Sequence, residues 1–135
     1  MNDLYINHLA VFVCAILSLV IGSLWWSPLL FAKPWQAENG FTDEQAAKMN
    51  PVKTFGLTLI LAWVMSYNLA FFLAGAATDW KWGLTAGLLT GVGWVSAMFV
   101  VVALFEQRSI RYIAINCGYM IVYFAIIGLI IGAWR

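Results

Sequence analysis

Residues Trp82 to Phe105 read WGLTAGLLTGVGWVSAMFVVVALF, 24 residues without an Asp, Glu, Lys or Arg. A helix needs ~20 apolar residues to cross ~30 Å of hydrocarbon, so this stretch predicts a transmembrane span. Three further uncharged stretches, Leu4 to Ala32, Thr54 to Thr78 and Tyr112 to Trp134, are 29, 25 and 23 residues long. Hydrophobic residues make up 64% of the 135 and charged ones 10%, where soluble domains carry about 45–50% and about 25%. The expected fold class is therefore an all-α integral membrane protein, with four transmembrane helices in a compact bundle, short loops and one short interfacial helix in the first loop. What lies outside the spans is too little for a separate globular domain, so one transmembrane domain is expected over residues 1–135.

The first stretch is too long for one straight crossing, since 29 residues make ~43 Å of helix. Trp25 and Trp26 suit the headgroup level, and Pro28 cannot continue the helical hydrogen bonds, so the first span is expected at about Leu4 to Leu24 with an interfacial turn after it. Lys33, Pro34 and Trp35 mark the exit. Thr42-Asp43-Glu44-Gln45 reads as a capping box, which places a short surface helix at Asp43 to Met49 before Asn50-Pro51 stops it. The remaining spans are expected at about Thr54 to Ala76, Trp82 to Phe105 and Tyr112 to Ala133. Their links of five or six residues make consecutive helices antiparallel neighbours.

Lys33, Lys48, Lys53, Arg108 and Arg111 flank the spans on one side, and Lys81 and Arg135 on the other. The excess of basic residues on cytoplasmic loops then predicts that both termini are external. A net charge of +1 gives no basic field for nucleic acid. Asp3 is the only charged side chain before the first apolar run, which lacks the basic flank of a cleaved secretory signal. Cys14 and Cys117 both fall inside apolar spans, where a thiol acts as a small hydrophobe.

Small residues recur four apart in every span. Gly83, Gly87 and Gly91 form GxxxGxxxG, and Ala10, Cys14, Ser18 and Gly22 keep the same step. So do Thr54, Thr58, Ala62, Ser66, Ala70 and Ala74, and Gly128 with Gly132. In a bilayer such faces allow close backbone approach between helices. For the glycines of the third span the partner is a helix of the same chain or a second subunit, so they are candidates for helix packing or for an oligomer interface.

Embedded polar residues are where function is sought in a membrane protein. No carboxylate lies within a span, which removes the usual proton-coupling group of small transporters and the acid–base pairs of hydrolytic enzymes. No enzymatic activity, cofactor or metal is expected. His8 is the only histidine and is expected as an interfacial residue near Asp79. The candidate intramembrane polar site consists of Asn68, Asn116, Tyr119, Trp63 and Trp94. An unpaired amide in hydrocarbon costs several kcal/mol, so the two asparagines should face protein or water. Interhelical hydrogen bonding and the lining of a narrow path or pocket both satisfy that condition.

Two stretches are more specific. Gly22-Ser23-Leu24-Trp25-Trp26-Ser27-Pro28-Leu29-Leu30-Phe31-Ala32-Lys33-Pro34-Trp35 is one, and Phe105-Glu106-Gln107-Arg108 followed by Ile115-Asn116-Cys117-Gly118-Tyr119 is the other. They resemble the signature segments of the bacterial four-span proteins of domain-of-unknown-function family 1761, over nearly the whole chain. Members often carry His after the Gly-Tyr pair, where this chain has Met120. The resemblance implies the four-span fold and a bacterial inner-membrane location, and no activity. Trp26, Ser27, Pro28, Lys33, Trp35, Glu106 and Arg108 share one membrane face, so they form a candidate gate or structural lock in which Glu106 pairs with Lys33 or Arg111.

The leading expectation is a homo-oligomeric channel-like or transport-like protein in the lipid bilayer, acting on an unidentified small molecule or ion without an intramembrane proton-coupling acid. The alternative is a non-transporting interaction, scaffold or lipid-binding protein.

Overall fold

The computed structural model describes residues 4–135, which are helical or in turns with no strand among them. The helices are α1 (His8–Trp25), α2 (Ala32–Asn39), α3 (Asp43–Ala47), α4 (Pro51–Phe72), α5 (Trp80–Phe105) and α6 (Ile110–Ala133). Four of them, α1, α4, α5 and α6, are long and apolar enough to cross a membrane. The expected spans therefore stand, with shifted ends. Each span now starts after a side chain that satisfies an otherwise orphaned helix amide.

Asn7 caps α1 by accepting from the Ala10 amide, so that helix begins at His8 rather than Leu4. Asn50 does the same for the Lys53 amide and Pro51 occupies the first turn, so the pair read as a stop for α3 is also the start of α4. Asp79 and Ser109 cap α5 and α6 through the amides of Trp82 and Tyr112. The capping box of α3 forms as its sequence predicts, with Thr42 and Gln45 each accepting from the other's amide.

Two features were not expected. The first loop holds a second short helix, α2, and Lys33-Pro34-Trp35, read as the exit from the first span, lies inside it. Pro34 is in the first turn, where a missing N–H leaves no intrahelical bond unmade. Gly40 ends α2 in the left-handed conformation (φ 69°) while the Phe41 amide reaches back to the Gln36 carbonyl. In α5, residues Gly91–Ser96 form a π-helical segment in the middle of the span. The far end of α5 closes in the same way as α2, with Gln107 at φ 57° and the Arg108 amide on the Ala103 carbonyl.

The spans form two pairs, α1 with α4 and α5 with α6, and α6 also touches α1 and α4. Glycines set the second pair. A Cβ added to Gly83 would overlap the Gly128 carbonyl and lie 2.8 Å from Gly132 Cα, and one on Gly128 would lie 2.9 Å from Gly87 Cα. Gly91 faces the backbone of Ile121. The small face of α5 is thus turned toward α6 of the same chain, backbone against backbone.

Between the pairs, toward the termini, lies a packed core of Val11, Cys14, Leu69, Leu73, Tyr123 and Ile127, each at most 3% exposed. The Tyr123 hydroxyl ties three spans together through the Cys14 carbonyl at 3.1 Å and the Ser66 hydroxyl at 3.3 Å. Outward faces carry large apolar side chains such as Leu61, Val64, Phe71 and Leu104.

Candidate functional site

At the end of the bundle opposite the termini the spans stand apart, and α2 and α3 fold over the gap. The half-open recess beneath them measures about 880 Å³, within the ~300–1,000 Å³ range of small-molecule sites. Its walls come from the second half of α1 (Ser18, Gly22) with Trp26 just beyond it, the first turns of α4 (Thr54, Thr58) and the first three turns of α6 (Tyr112, Asn116, Tyr119). Trp35, Gln36 and Asn39 of α2, with Phe41, form the roof. Among the described residues no charged side chain lines it. Ser18 lies seven residues from the end of α1, so the floor is about 10 Å below that end.

Aromatic rings make one wall. The Trp26 ring lies 4.6 Å from Tyr119 and 6.1 Å from Trp35, and Trp35 meets Phe41 edge-on at 5.7 Å. Gly22 makes the room, because Trp26 and Tyr119 both approach the place a Cβ would occupy, at 3.4 and 3.6 Å. Tyr119 is fixed by its hydroxyl, which donates to the Ser18 carbonyl at 3.0 Å. Asn116, 8% exposed, donates its amide to the Tyr112 carbonyl.

The roof is tied down by hydrogen bonds. Arg108 donates to Asn39 Oδ1 at 2.7 Å, with its guanidinium 3.8 Å from the centroid of Tyr112, and the Ser109 hydroxyl donates to Glu38. The first and third loops meet, as their common side of the bundle required. They do so through Arg108–Asn39 and Ser109–Glu38, in place of the expected pairing of Glu106 with Lys33 or Arg111. Glu106 and Lys33 are exposed. Ser27 and Pro28 form the turn leaving α1, where the Ser27 hydroxyl donates to the Leu24 carbonyl and the Ser27 carbonyl accepts from Leu30 and Ala32.

The five residues expected as one intramembrane polar site are not together. Asn116 and Tyr119 line the cavity. Asn68 and Trp94 line a separate groove of about 460 Å³ between α4 and α5, largely apolar, where the Asn68 amide is satisfied by the Val64 carbonyl of its own helix. Asn68 is exposed in that groove, where back-bonding within the helix meets part of its need. Trp63 lines neither and packs edge-on against Phe12 at 5.4 Å. His8 bonds to the Tyr67 hydroxyl at 2.8 Å rather than approaching Asp79.

Ser18, Thr54 and Thr58 sat in the small-residue rows of the sequence, where the four-residue step reads as packing and hides a polar wall. Gln36 and Asn39 belong to α2, and the helical spacing of polar residues after Pro34 was the signal for them. Among the described residues no three of His, Cys, Asp and Glu come together to hold a metal ion.

Fold and cavity together define a four-span helical protein with membrane-spanning helices and an uncharged recess at one end. The chain belongs to the family described as Protein of unknown function (DUF1761), whose model matches residues 9–132. No curated protein and no solved structure matches it.

Proposed function

We propose that this is a non-transporting binding protein of the bacterial inner membrane, which holds a small uncharged molecule in the recess beneath α2 and α3. The observation that carries this reading is the closed floor. Past Ser18, Thr58 and Tyr119 the space between the spans is filled by Val11, Cys14, Leu69, Tyr123 and Ile127, so one chain offers a pocket rather than a path. A transport role would need that layer to open, and its packing is the close packing of a protein interior. The lining supports an uncharged ligand, because a charge at that depth with no counter-charge costs several kcal/mol.

The test uses purified full-length protein and the variant Thr58→Trp, which fills the recess from α4. Native mass spectrometry is expected to find a small-molecule mass retained by the wild type and lost from the variant. Vesicles containing the wild type are expected to pass small solutes no faster than protein-free vesicles. A flux that Thr58→Trp blocks would overturn the reading in favour of a channel.

A further inference from the structure

Asn116 stands on the wall of the recess with part of its amide unused. It is 8% exposed, and one N–H goes to the Tyr112 carbonyl at 2.9 Å. An amide has two N–H donors and an acceptor oxygen, so the oxygen and a second N–H remain. Among the described residues the sealed side-chain polar atoms without a partner are the Ser18 hydroxyl, the Trp26 indole nitrogen and the Ser96 hydroxyl. Asn116 Oδ1 accepts nothing from the protein and yet is not one of these, so it keeps open surface, and the space it borders is the recess. The side chains of Ser23, Gln36 and Thr54 also line the recess and make no hydrogen bond to another described residue. The wall thus offers unspent amides and hydroxyls, and no charge.

From this lining we infer that the recess binds an uncharged hexose ring, the chemistry of a neutral sugar or of a glycolipid headgroup. This rests on the proposed binding function and names its ligand class. Asn116, Gln36, Ser23 and Thr54 belong to α6, α2, α1 and α4, so polar groups meet the occupant from four helices. A sugar ring carries hydroxyls around its whole rim, each able to donate and to accept, as amides and hydroxyls in the wall also can. Its C–H faces suit the negative faces of aromatic rings, which Trp26, Trp35 and Tyr119 bring to one wall. A flat carbonyl-bearing ring would leave most of these groups unmet, since its polar atoms lie on one or two edges. A phosphate headgroup would need a cation in the lining, and Arg108 at the rim is already engaged with Asn39 and Tyr112. Leu19 and Phe55 in the wall give a lipid tail an apolar surface to follow into the bilayer.

The probes are monoglucosyl diacylglycerol and methyl glucoside, with phosphatidylglycerol of the same acyl chains as comparator. They are added to the full-length protein in a sugar-free polyoxyethylene detergent and read by native mass spectrometry. One glucosyl unit per chain is expected to be retained, either as the lipid in preference to phosphatidylglycerol or as methyl glucoside alone. The first result assigns the lipid-borne headgroup and the second the free sugar. Asn116→Leu and Gln36→Leu, which keep approximate volume and remove one amide each, should each weaken retention roughly three- to tenfold. Sugar binding that neither variant changes would overturn the assignment. So would failure of both sugars to bind while another small molecule is retained and then lost in Thr58→Trp, an outcome that leaves the binding function standing. Retention of no small molecule at all would overturn both. Should Asn116→Leu fail to fold, Gln36→Leu against wild type decides alone.

Discussion

The Trp25 indole and Gly118 fit as ring and gap. The indole donates to the Ile115 carbonyl one turn below, and a Cβ placed on Gly118 would lie 2.7 Å from Trp25 Cζ2. Tyr119, the next residue, meets Trp26, the next residue on the other side. The double tryptophan at the end of α1 and the Asn-x-Gly-Tyr of α6 are thus two halves of one joint, which fixes the width of the cavity between α1 and α6.

Gly118→Val should spring that joint. The indole of Trp25 is held by its hydrogen bond and cannot swing away freely, so the cost should be that of overpacking, about 1–3 kcal/mol. The check is reversible unfolding in detergent, compared with Gly56→Val. At Gly56 nothing lies within 4 Å of the added carbon, so the control should be neutral or gain the few tenths of a kcal/mol by which valine exceeds glycine in helix propensity.

Gly87→Leu should damage the fold itself rather than an assembly of folded chains. A Cβ at this position would overlap the Phe124 carbonyl, and further carbons have nowhere to go between two backbones in contact. The expected result is loss of protease-resistant protein, with no folded monomer recovered. A well-folded variant that merely changes oligomeric state would mean that α5 meets α6 less closely than this.

Gln107→Gly should stabilise the turn between α5 and α6. Gln107 sits at φ 57°, where a side chain costs about 1–2 kcal/mol and glycine none. Part of that gain is returned as extra freedom in the unfolded chain. A net rise of up to about 1 kcal/mol, read as a higher midpoint of thermal unfolding, is the expected outcome.

For orientation, the distribution of Lys and Arg predicts that the roof helices and the Arg108 turn are cytoplasmic and the termini outside. A periplasm-active reporter fused after Arg135 should be active, and a cytoplasm-only reporter at the same place silent. The reverse pattern would turn the mouth of the recess outward.

The spans could be read from the sequence because charge is so costly in hydrocarbon that its absence over more than 20 residues leaves little choice. Their ends were less clear. Asn7, Asn50 and Ser109 are polar residues that could equally have been loop, and only the amides they meet show that they begin helices. The π segment at Gly91–Ser96 could not be anticipated, since neighbouring α and π turns share the same apolar composition. At the site, Asn116 and Tyr119 stood out as polar residues in an apolar run. Ser18 did not, because it stands in the row of small residues Ala10, Cys14, Ser18 and Gly22, where the four-residue step reads as helix packing rather than as the wall of a recess. The placing of Asn68 and Asn116 in one site failed for a similar reason. Each is near the middle or the first half of its span, but whether they face one space depends on helix rotation, which an unpatterned apolar helix does not declare.

The glycine contact of α5 with α6 also sets an order of events during synthesis. The two helices are joined by only the residues between Phe105 and Ile110, yet α6 leaves the ribosome after the other three spans described. Until it does, α5 waits in the bilayer with a bare strip of backbone from Gly83 to Gly91 that no earlier helix covers. Insertion of α6 then closes a hairpin, and because α6 carries Tyr123, Gly118 and Tyr119 the same event joins that hairpin to the α1–α4 pair. Assembly of the whole bundle, and with it the recess, is gated on the arrival of one helix.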